Sequence, residues 1–350
     1  MRIVQIEIPR QGRRVGVVED DSVLDLTSVR SDLTRVHQCF SEARAAGSSL
    51  NDLLAGIAKQ SGVATLSYEE LWAAAPGGDA PWLCAPVDHE DVHHVFVTGT
   101  GLTHTGSMQS RDQMHAEEDA DKPKPDSAKT DSAKMFEMGL EGGKPADGQR
   151  GVAPEWFYKG TGVNLRGHRE SLDVPSFALD GGEEPEIAGI YIIGEDGQPY
   201  RLGFALGNEW SDHPTEKINY LYLAPSKLRT CSIGPELNTD IEFDEIRLQC
   251  TVMRDGQPVY QSGELLSGET FMSHTLANRE DHHFKYPLHR QPGDIHIHYF
   301  GTSKLSYGTR DWKYQTGDEI QVSSDQFGQP LINTVAVEEP SAVPVRVALA

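Results

Sequence analysis

The second half of the sequence is dominated by strand patterns. After Trp156, apolar segments are separated by polar turn signals such as EDGQ and RDGQ. The clearest segments are EIAGIYIIG, QPYRLGFALGNEW, IRLQCTVMRDGQPVYQSGEL and GDIHIHYFGTSKL. No repeat with a period of roughly 20–50 residues is present, which argues against a solenoid. The pattern therefore predicts a β-rich body with few helices.

The first part of the sequence mixes strand and helix patterns. RIVQIEI and RRVGVVEDDSVLDLT predict strands, and TRVHQCFSEARAAGSSLNDLLAGIAKQ has helical spacing with a break at Gly47. YEELWAAAP predicts a short helix that stops at Pro76, and SAKMFEMGLEGGKP predicts another. We therefore expect a small N-terminal α+β domain over residues 1–85, a Pro- and Gly-rich connection, and a larger domain over residues 90–345.

The charge balance excludes several classes of partner. The chain has 53 acidic and 31 basic residues, a formal net charge of −22. This argues against nonspecific nucleic-acid binding and against docking on anionic lipid. No apolar run reaches the roughly 18 residues of a membrane span, and the N-terminus lacks the pattern of a signal peptide. The four cysteines form no CxxC motif, so reduced thiols in a cytoplasmic protein are expected.

Three glutamates are candidates for a metal site. Glu184 and Glu186 are two apart on a predicted strand, so their side chains share a face. An antiparallel hairpin with its turn near GEDGQP would bring Glu209 beside them. Oxygen ligands of this kind suit Mg²⁺ or Mn²⁺. The alternative is an acidic, solvated hairpin, and spacing alone leaves both interpretations open.

Five motifs occur in an order that resembles the fumarylacetoacetate hydrolase superfamily: GGEEPEIAGIYII, GFALGNEWSDH, SKLRTCSIGPEL, SGE and PGDIHIHYFGTS. FYKGTGVNL and DGGEEPEIAGIYIIG resemble its branch from bacterial sugar-acid and pentose operons. The resemblance implies an α+β, β-rich fold, a mixed β-roll with a small N-terminal α+β domain. It also implies a homodimer or a dimer of dimers.

The resemblance also implies roles for individual residues. Glu184, Glu186 and Glu209 match the metal triad, although many members have aspartate at the third position. Lys227 in APSKLRT matches an active-site lysine, and Thr302 in FGTS matches a threonine that closes the pocket over the substrate carboxylate. His104 lies where the hydrolases place the histidine that activates water, but HHVFVTGTG lacks an extra aspartate ligand that some members carry.

Further candidates lie around this set. Arg111, on a helix predicted after His104, either pairs with a substrate carboxylate or lies on a solvated face. Tyr158 and Lys159 are expected at the pocket rim. Residues 117–134, which are almost without apolar side chains, form either a mobile surface segment or a lid.

The departures from the hydrolase pattern resemble members that dehydrate 2-keto-3-deoxy sugar acids. The expected reaction is the Mg²⁺-dependent conversion of a 2-keto-3-deoxypentonate to 2,5-dioxopentanoate through an enolate, with His104 and Lys227 as catalytic residues. The alternatives are hydrolysis of a C–C bond in an acylpyruvate or a 2,4-diketo-3-deoxy sugar acid, and a non-catalytic protein that binds a sugar acid.

Overall fold

The protein is built mainly from β-sheet. A computed structural model describes residues 1–104 and 131–350 of the chain. Within these ranges the chain forms a twelve-stranded sheet and a five-stranded sheet, with short helices around them. In the same ranges, no helix combines the length and the apolar character needed to cross a membrane. The predicted α+β, β-rich class is confirmed.

The first hundred residues contain six strands and three helices. The strands are β1 (Arg2–Ile8), β2 (Gly12–Glu19), β3 (Ser22–Asp25), β4 (Ala64–Ser67), β5 (Trp82–Leu83) and β6 (Val95–Gly101). The helices are α1 (Val36–Ala45), α2 (Leu50–Ala58) and α3 (Tyr68–Ala73). The predicted helix break is confirmed: Gly47 has a φ of +69°, a conformation that favours glycine, and Ser49 caps α2 by accepting the Asp52 N–H at 3.1 Å.

The remaining elements begin at the predicted helix α4 (Asp131–Gly142). The strands are β7 (Glu155–Thr161), β8 (Leu165–Arg166), β9 (Ser171–Val174), β10 (Pro185–Ile193), β11 (Pro199–Asn208), β12 (Cys231–Asn238), β13 (Ile246–Arg254), β14 (Gln257–Ser267), β15 (Ile295–Tyr299), β16 (Glu319–Ser323) and β17 (Leu331–Val337). The helices are α5 (His213–Ile218), α6 (Leu223–Lys227) and α7 (Leu276–Phe284).

The large sheet contains strands from both of the predicted domains. Its main path runs β4-β3-β2-β1-β12-β11-β10-β15-β6-β7, and β5 and β8 pair with β1 and β12. The N-terminal strands therefore continue the sheet of the second half through the antiparallel pair β1–β12, in which Ile3 lies opposite Leu237. The division into residues 1–85 and 90–345 stays a prediction.

The hairpin of β10 and β11 lies between two hydrophobic cores. Every residue of β10 is buried. Ala188 and Ile190 point into a core shared with α1 and α2, whereas Ile187 and Tyr191 point into a core shared with the five-stranded sheet. A strand covered on both faces needs a continuous apolar run, which PEIAGIYII supplies after its acidic start. The hairpin is consequently packed on both of its faces.

His168 connects α3 to β17 through hydrogen bonds to the backbone of both elements. Its Nε2 lies 2.9 Å from the carbonyl oxygen of Trp72, and its Nδ1 accepts the Ile332 N–H at 3.1 Å, so the neutral ring satisfies both contacts. Burial lowers the pKa of His168 to about 4. The unfolded ring has an ordinary pKa near 6.5, so between these two values the unfolded state binds more protons and stability falls as the pH falls.

We therefore expect His168→Gln to reduce the pH dependence of stability. The neutral ring contributes stability above about pH 6.5 that is lost on acidification, by about 1.5 kcal/mol between pH 6.5 and pH 5. Urea unfolding at the two pH values measures this difference. His93→Gln, which changes an exposed histidine, should keep the wild-type dependence. An unchanged dependence in His168→Gln would contradict the assignment.

Candidate active site

The three predicted glutamates meet at the open end of the β10–β11 hairpin. Pro185 pairs with Asn208 across the hairpin, and the Glu209 N–H donates to the Glu184 carbonyl oxygen at 3.0 Å. One carboxylate oxygen from each of Glu184, Glu186 and Glu209 lies within 4.8 Å of the other two. All three side chains are buried. The backbone pairing of the hairpin therefore converges three carboxylates on one point, as the spacing predicted.

Backbone geometry fixes the orientation of these side chains. The Asn208 side-chain oxygen accepts the Glu184 N–H at 3.1 Å, and the Gly301 N–H donates to Oε2 of Glu186 at 2.7 Å. Gly301 has a φ of +96°, and a Cβ at this position would lie 2.7 Å from Oγ1 of Thr103. Only glycine fits here without strain, so the turn after β15 brings its backbone directly onto Glu186.

Two buried lysines offset part of the negative charge. Nζ of Lys227 contacts Oε1 of Glu184 and lies 2.6 Å from Oε2 of Glu209. Nζ of Lys159 lies 2.5 Å from Oε1 of Glu209 and 2.7 Å from the Trp210 carbonyl oxygen. Three carboxylates therefore face two ammonium groups, which leaves a surplus negative charge when all five groups are ionised.

The pKa values show where this surplus lies. Burial, followed by repulsion from Glu209 and Glu184, holds the pKa of Glu186 well above its ordinary value. Burial would also raise the pKa of Glu184, but Lys227 outweighs it and lowers that pKa. Burial opposes the charge of Lys227, yet the two glutamates it contacts raise its pKa. Glu186 is thus the carboxylate whose ionised form is least stabilised by protein groups.

These residues fit a hard divalent cation. Mg²⁺ takes oxygen ligands at about 2.1 Å, so two ligands on opposite sides of the ion are about 4.2 Å apart, a spacing compatible with the observed cluster. A cation between the carboxylates would also offset the charge that raises the pKa of Glu186. The donor set contains oxygen only, which favours Mg²⁺ or Mn²⁺ over zinc.

Comparisons with known proteins extend over nearly the whole chain. No protein-family model matches it. A probable 2-keto-3-deoxyxylonate dehydratase of Haloferax volcanii is 25% identical over 321 residues, covering 90% of this chain and 93% of that protein. The structure of 2-keto-3-deoxy-D-arabinonate dehydratase complexed with magnesium and 2,5-dioxopentanoate covers 97% of this chain and 100% of that chain, with a TM-score of 0.67 at 17% identity. The chain is therefore similar to these two dehydratases over nearly its whole length.

A second solved structure, of a protein with a different name, has a similar fold. Maleylpyruvate hydrolase from Sphingobium sp. SYK-6, in complex with manganese(II) and pyruvate, covers 97% of this chain and 100% of that chain, with a TM-score of 0.55 at 15% identity. At these identities the likeness to solved structures establishes the fold. The predicted resemblance to the superfamily and to its sugar-acid branch is confirmed by the dehydratase matches.

A small cavity lies beside the carboxylates. It has a volume of about 30 Å³, enough for one or two water molecules. Glu184, Glu186, Lys227 and Thr302 line it. Oγ1 of Thr302 donates to the Lys304 carbonyl oxygen at 3.0 Å. The structure therefore brings four of the residues that match superfamily motifs to one cavity.

Lys159 and Tyr158 do not both take the rim position expected from the sequence. Successive side chains of β7 point to opposite faces. Lys159 is completely buried, where it pairs with Glu209, whereas the side chain of Tyr158 is 38% exposed on the other face of the strand. Lys159 thus pairs with the candidate metal ligand Glu209 inside the protein and does not take the expected rim position.

His104 lies in a different cavity from the carboxylates. That cavity includes Met272 and Lys304, and His104 forms an isolated bridge with Met272. Burial, with a smaller contribution from Arg279, lowers the pKa of His104 to about 3. Arg111 and most of the segment 117–134 lie outside the described residues.

Sequence reasoning missed three titratable residues of the carboxylate cavity: Glu155, His213 and Glu216. Nε2 of His213 lies 3.9 Å from Oε1 of Glu184, and its Nδ1 lies 3.7 Å from Oε2 of Glu216. Both residues belong to α5, which is capped by Asp212 through the Thr215 N–H at 3.1 Å. The sequence SDHPTE, shortly after Glu209, does predict the start of this helix, because an N-cap aspartate is followed by a proline in the first turn.

Proposed function

We propose that the protein is a divalent-metal-dependent dehydratase that converts a 2-keto-3-deoxypentonate to 2,5-dioxopentanoate. The observation that carries the proposal is the convergence of three buried carboxylate oxygens within 4.8 Å beside a protonated lysine. The names of the Haloferax relative and of the magnesium-complexed structure support this substrate class. The metal is proposed to be Mg²⁺, with Mn²⁺ as the substitute.

Glu184, Glu186 and Glu209 would hold the cation. When bound there, a divalent cation would polarise the C2 carbonyl of a 2-keto acid and make the C3 proton more acidic. Lys159, Lys227 and the Gly301 N–H hold these carboxylates in place. The bound cation would then face the cavity.

Lys227 acts as a fixed positive charge in this proposal. Its ammonium group is buried, its pKa is raised by Glu184 and Glu209, and it also lies 4.7 Å above the centre of the Phe157 ring. A lysine held protonated cannot accept the C3 proton, but it can donate hydrogen bonds to the oxygens of the substrate. Thr302, on the same cavity wall, is proposed to hold the substrate carboxylate.

The proton transfers are assigned to α5. Dehydration needs a base for the C3 proton and an acid for the departing C4 hydroxyl group. His213 and Glu216 line the cavity and form a close pair, whereas His104 lines the cavity that includes Met272 and Lys304. The proposal therefore transfers the expected role of His104 to His213.

We expect His213→Gln to lower kcat by about 10²- to 10⁴-fold, because a positioned acid or base contributes rate enhancement of that order. Steady-state kinetics with the keto acid measure the effect, and metal affinity should change little. His93→Gln is the matched control. A larger loss in His104→Gln than in His213→Gln would return the role to His104.

The reaction is tested with the purified full-length chain. With Mg²⁺ and each stereoisomer of 2-keto-3-deoxypentonate, 2,5-dioxopentanoate should form, and a chelator should abolish turnover until Mg²⁺ is restored. Pyruvate released from an acylpyruvate, without 2,5-dioxopentanoate from the sugar acids, would instead identify a C–C hydrolase; the Sphingobium neighbour is named a maleylpyruvate hydrolase. Calorimetric binding without turnover would favour the non-catalytic alternative.

We also propose a homodimer or dimer of dimers in the cytoplasm. The segment that follows Glu209 in the chain has several exposed apolar side chains, among them Ile218, Leu221 and Leu228. Exposed apolar side chains of this kind favour a contact with another protein chain. The four cysteines are all free and buried, which suits a reducing compartment. Light scattering on the purified protein measures the assembly state.

A further inference from the structure

A second group of metal-ligating side chains lies far along the chain from the carboxylates. One ligating atom from each of His37, His89 and Glu90 lies within 4.8 Å of the others. His37 belongs to α1, whereas His89 and Glu90 belong to the segment between β5 and β6. Nε2 of His37 lies 2.8 Å from Oε2 of Glu90, and the two imidazole rings are 4.6 Å apart.

The neighbouring residues hold this group in place. Gln38 donates to Oε1 of Glu90 at 2.7 Å, which leaves Oε2 directed at His37. Nδ1 of His89 is 3.0 Å from the Asp91 N–H nitrogen and 3.1 Å from the Asp91 carbonyl oxygen, so either tautomer of the ring finds a backbone partner. Contacts of this type orient the ligands of protein metal sites.

The donor chemistry differs from that of the active site. Two imidazoles and one carboxylate suit borderline-soft ions such as Zn²⁺ and Co²⁺, whereas the three carboxylates suit Mg²⁺. His37 and His89 remain partly exposed, so an ion can enter from solvent.

We propose that His37, His89 and Glu90 form a site for a Zn²⁺-class transition metal, with a water molecule completing the coordination. The ion would join α1 to the segment that leads into β6, and β6 carries Thr100 and Gly101 to the wall of the catalytic cavity. Its expected role is to stabilise this connection, since an ion that binds only the folded state raises stability.

Co²⁺ binding in excess Mg²⁺ tests the proposal, because Mg²⁺ occupies oxygen-only sites and Co²⁺ at a site with imidazole ligands has visible absorption. The chelator-treated full-length protein should bind one equivalent of Co²⁺. His37→Gln and Glu90→Gln should each weaken binding at least about tenfold, and His93→Gln should not. Zn²⁺ should raise the Tm of the wild type and His93→Gln, but not that of His37→Gln.

Other results would overturn the site. The site is wrong if no absorption appears up to millimolar Co²⁺. It is also wrong if both His37→Gln and Glu90→Gln bind Co²⁺ like the wild type, or if Mg²⁺ displaces the ion. Circular dichroism of the variants separates a lost ligand from a lost fold. If His37→Gln does not fold, Glu90→Gln alone decides, because its side chain is about half exposed and its replacement is not expected to disturb the core.

Discussion

Replacing Glu186 by glutamine is expected to abolish turnover and, in the metal-free protein, to increase stability. The amide removes one of the proposed metal ligands, and metal catalysis supplies several kcal/mol of transition-state stabilisation, so kcat/KM should fall at least about 10³-fold. The same change removes a buried negative charge that Glu184 and Glu209 repel. Stability near neutral pH should therefore rise, because burial and repulsion penalise the ionised form of Glu186 in the folded protein.

Glu183→Gln is the matched control, since it changes the neighbouring buried acid. Glu183 accepts hydrogen bonds from the Ser306 hydroxyl at 2.8 Å and the Tyr314 hydroxyl at 2.6 Å. Its replacement should cost about 1–3 kcal/mol of stability and leave Mg²⁺ affinity nearly unchanged. Kinetics, metal titration and urea unfolding in chelator compare the two variants. Full activity in Glu186→Gln would remove this residue from the metal site.

Lys159→Met is expected to give a large loss of stability, about 3 kcal/mol or more. Lys159 and Glu209 are both fully buried, and without Lys159 the Glu209 carboxylate would keep only Lys227, which it shares with Glu184. Lys59→Met, which changes an exposed lysine on the surface of the N-terminal region, should remain within about 0.5 kcal/mol of the wild type.

The double variant Lys159→Met, Glu209→Gln separates the pair from general packing effects. If the pair is responsible, the double variant should recover much of the stability that Lys159→Met loses, because the excess negative charge of Glu209 is then absent. Chemical unfolding of the four proteins in the cycle gives the coupling energy. Strictly additive losses would show that Lys159 stabilises the core through its methylene groups alone.

Local patterns predicted the elements that position the site. The apolar run that follows Glu186, the turn near GEDGQP and the acid at position 209 together specify one hairpin and its register, because a shift by one residue would turn Glu186 into the opposite core. The helix break at Gly47 was likewise readable, since glycine is favoured where φ is positive. The convergence of the three glutamates follows from these short-range features and from the ordered motifs.

Other features depend on contacts that no local pattern encodes. The pair of Ile3 with Leu237 joins strands more than two hundred positions apart and makes one sheet of regions expected to be separate. The sequence predicts a rim position for Lys159, because YKG gives no sign of which face of β7 meets Glu209. His213 and Glu216 enter the cavity only through the packing of α5, so spacing along the chain could not assign them.

The ammonium group of Lys227 has a consequence for how the protein is handled. Lys227 bridges Glu184 and Glu209, so the acidic cluster has a counter-ion within the protein. Removing the metal with a chelator should therefore abolish activity without unfolding the protein. Such a chain can be reconstituted with a series of different cations. Removing and restoring the cation would thus switch activity reversibly, because Lys227 keeps the metal-free protein folded.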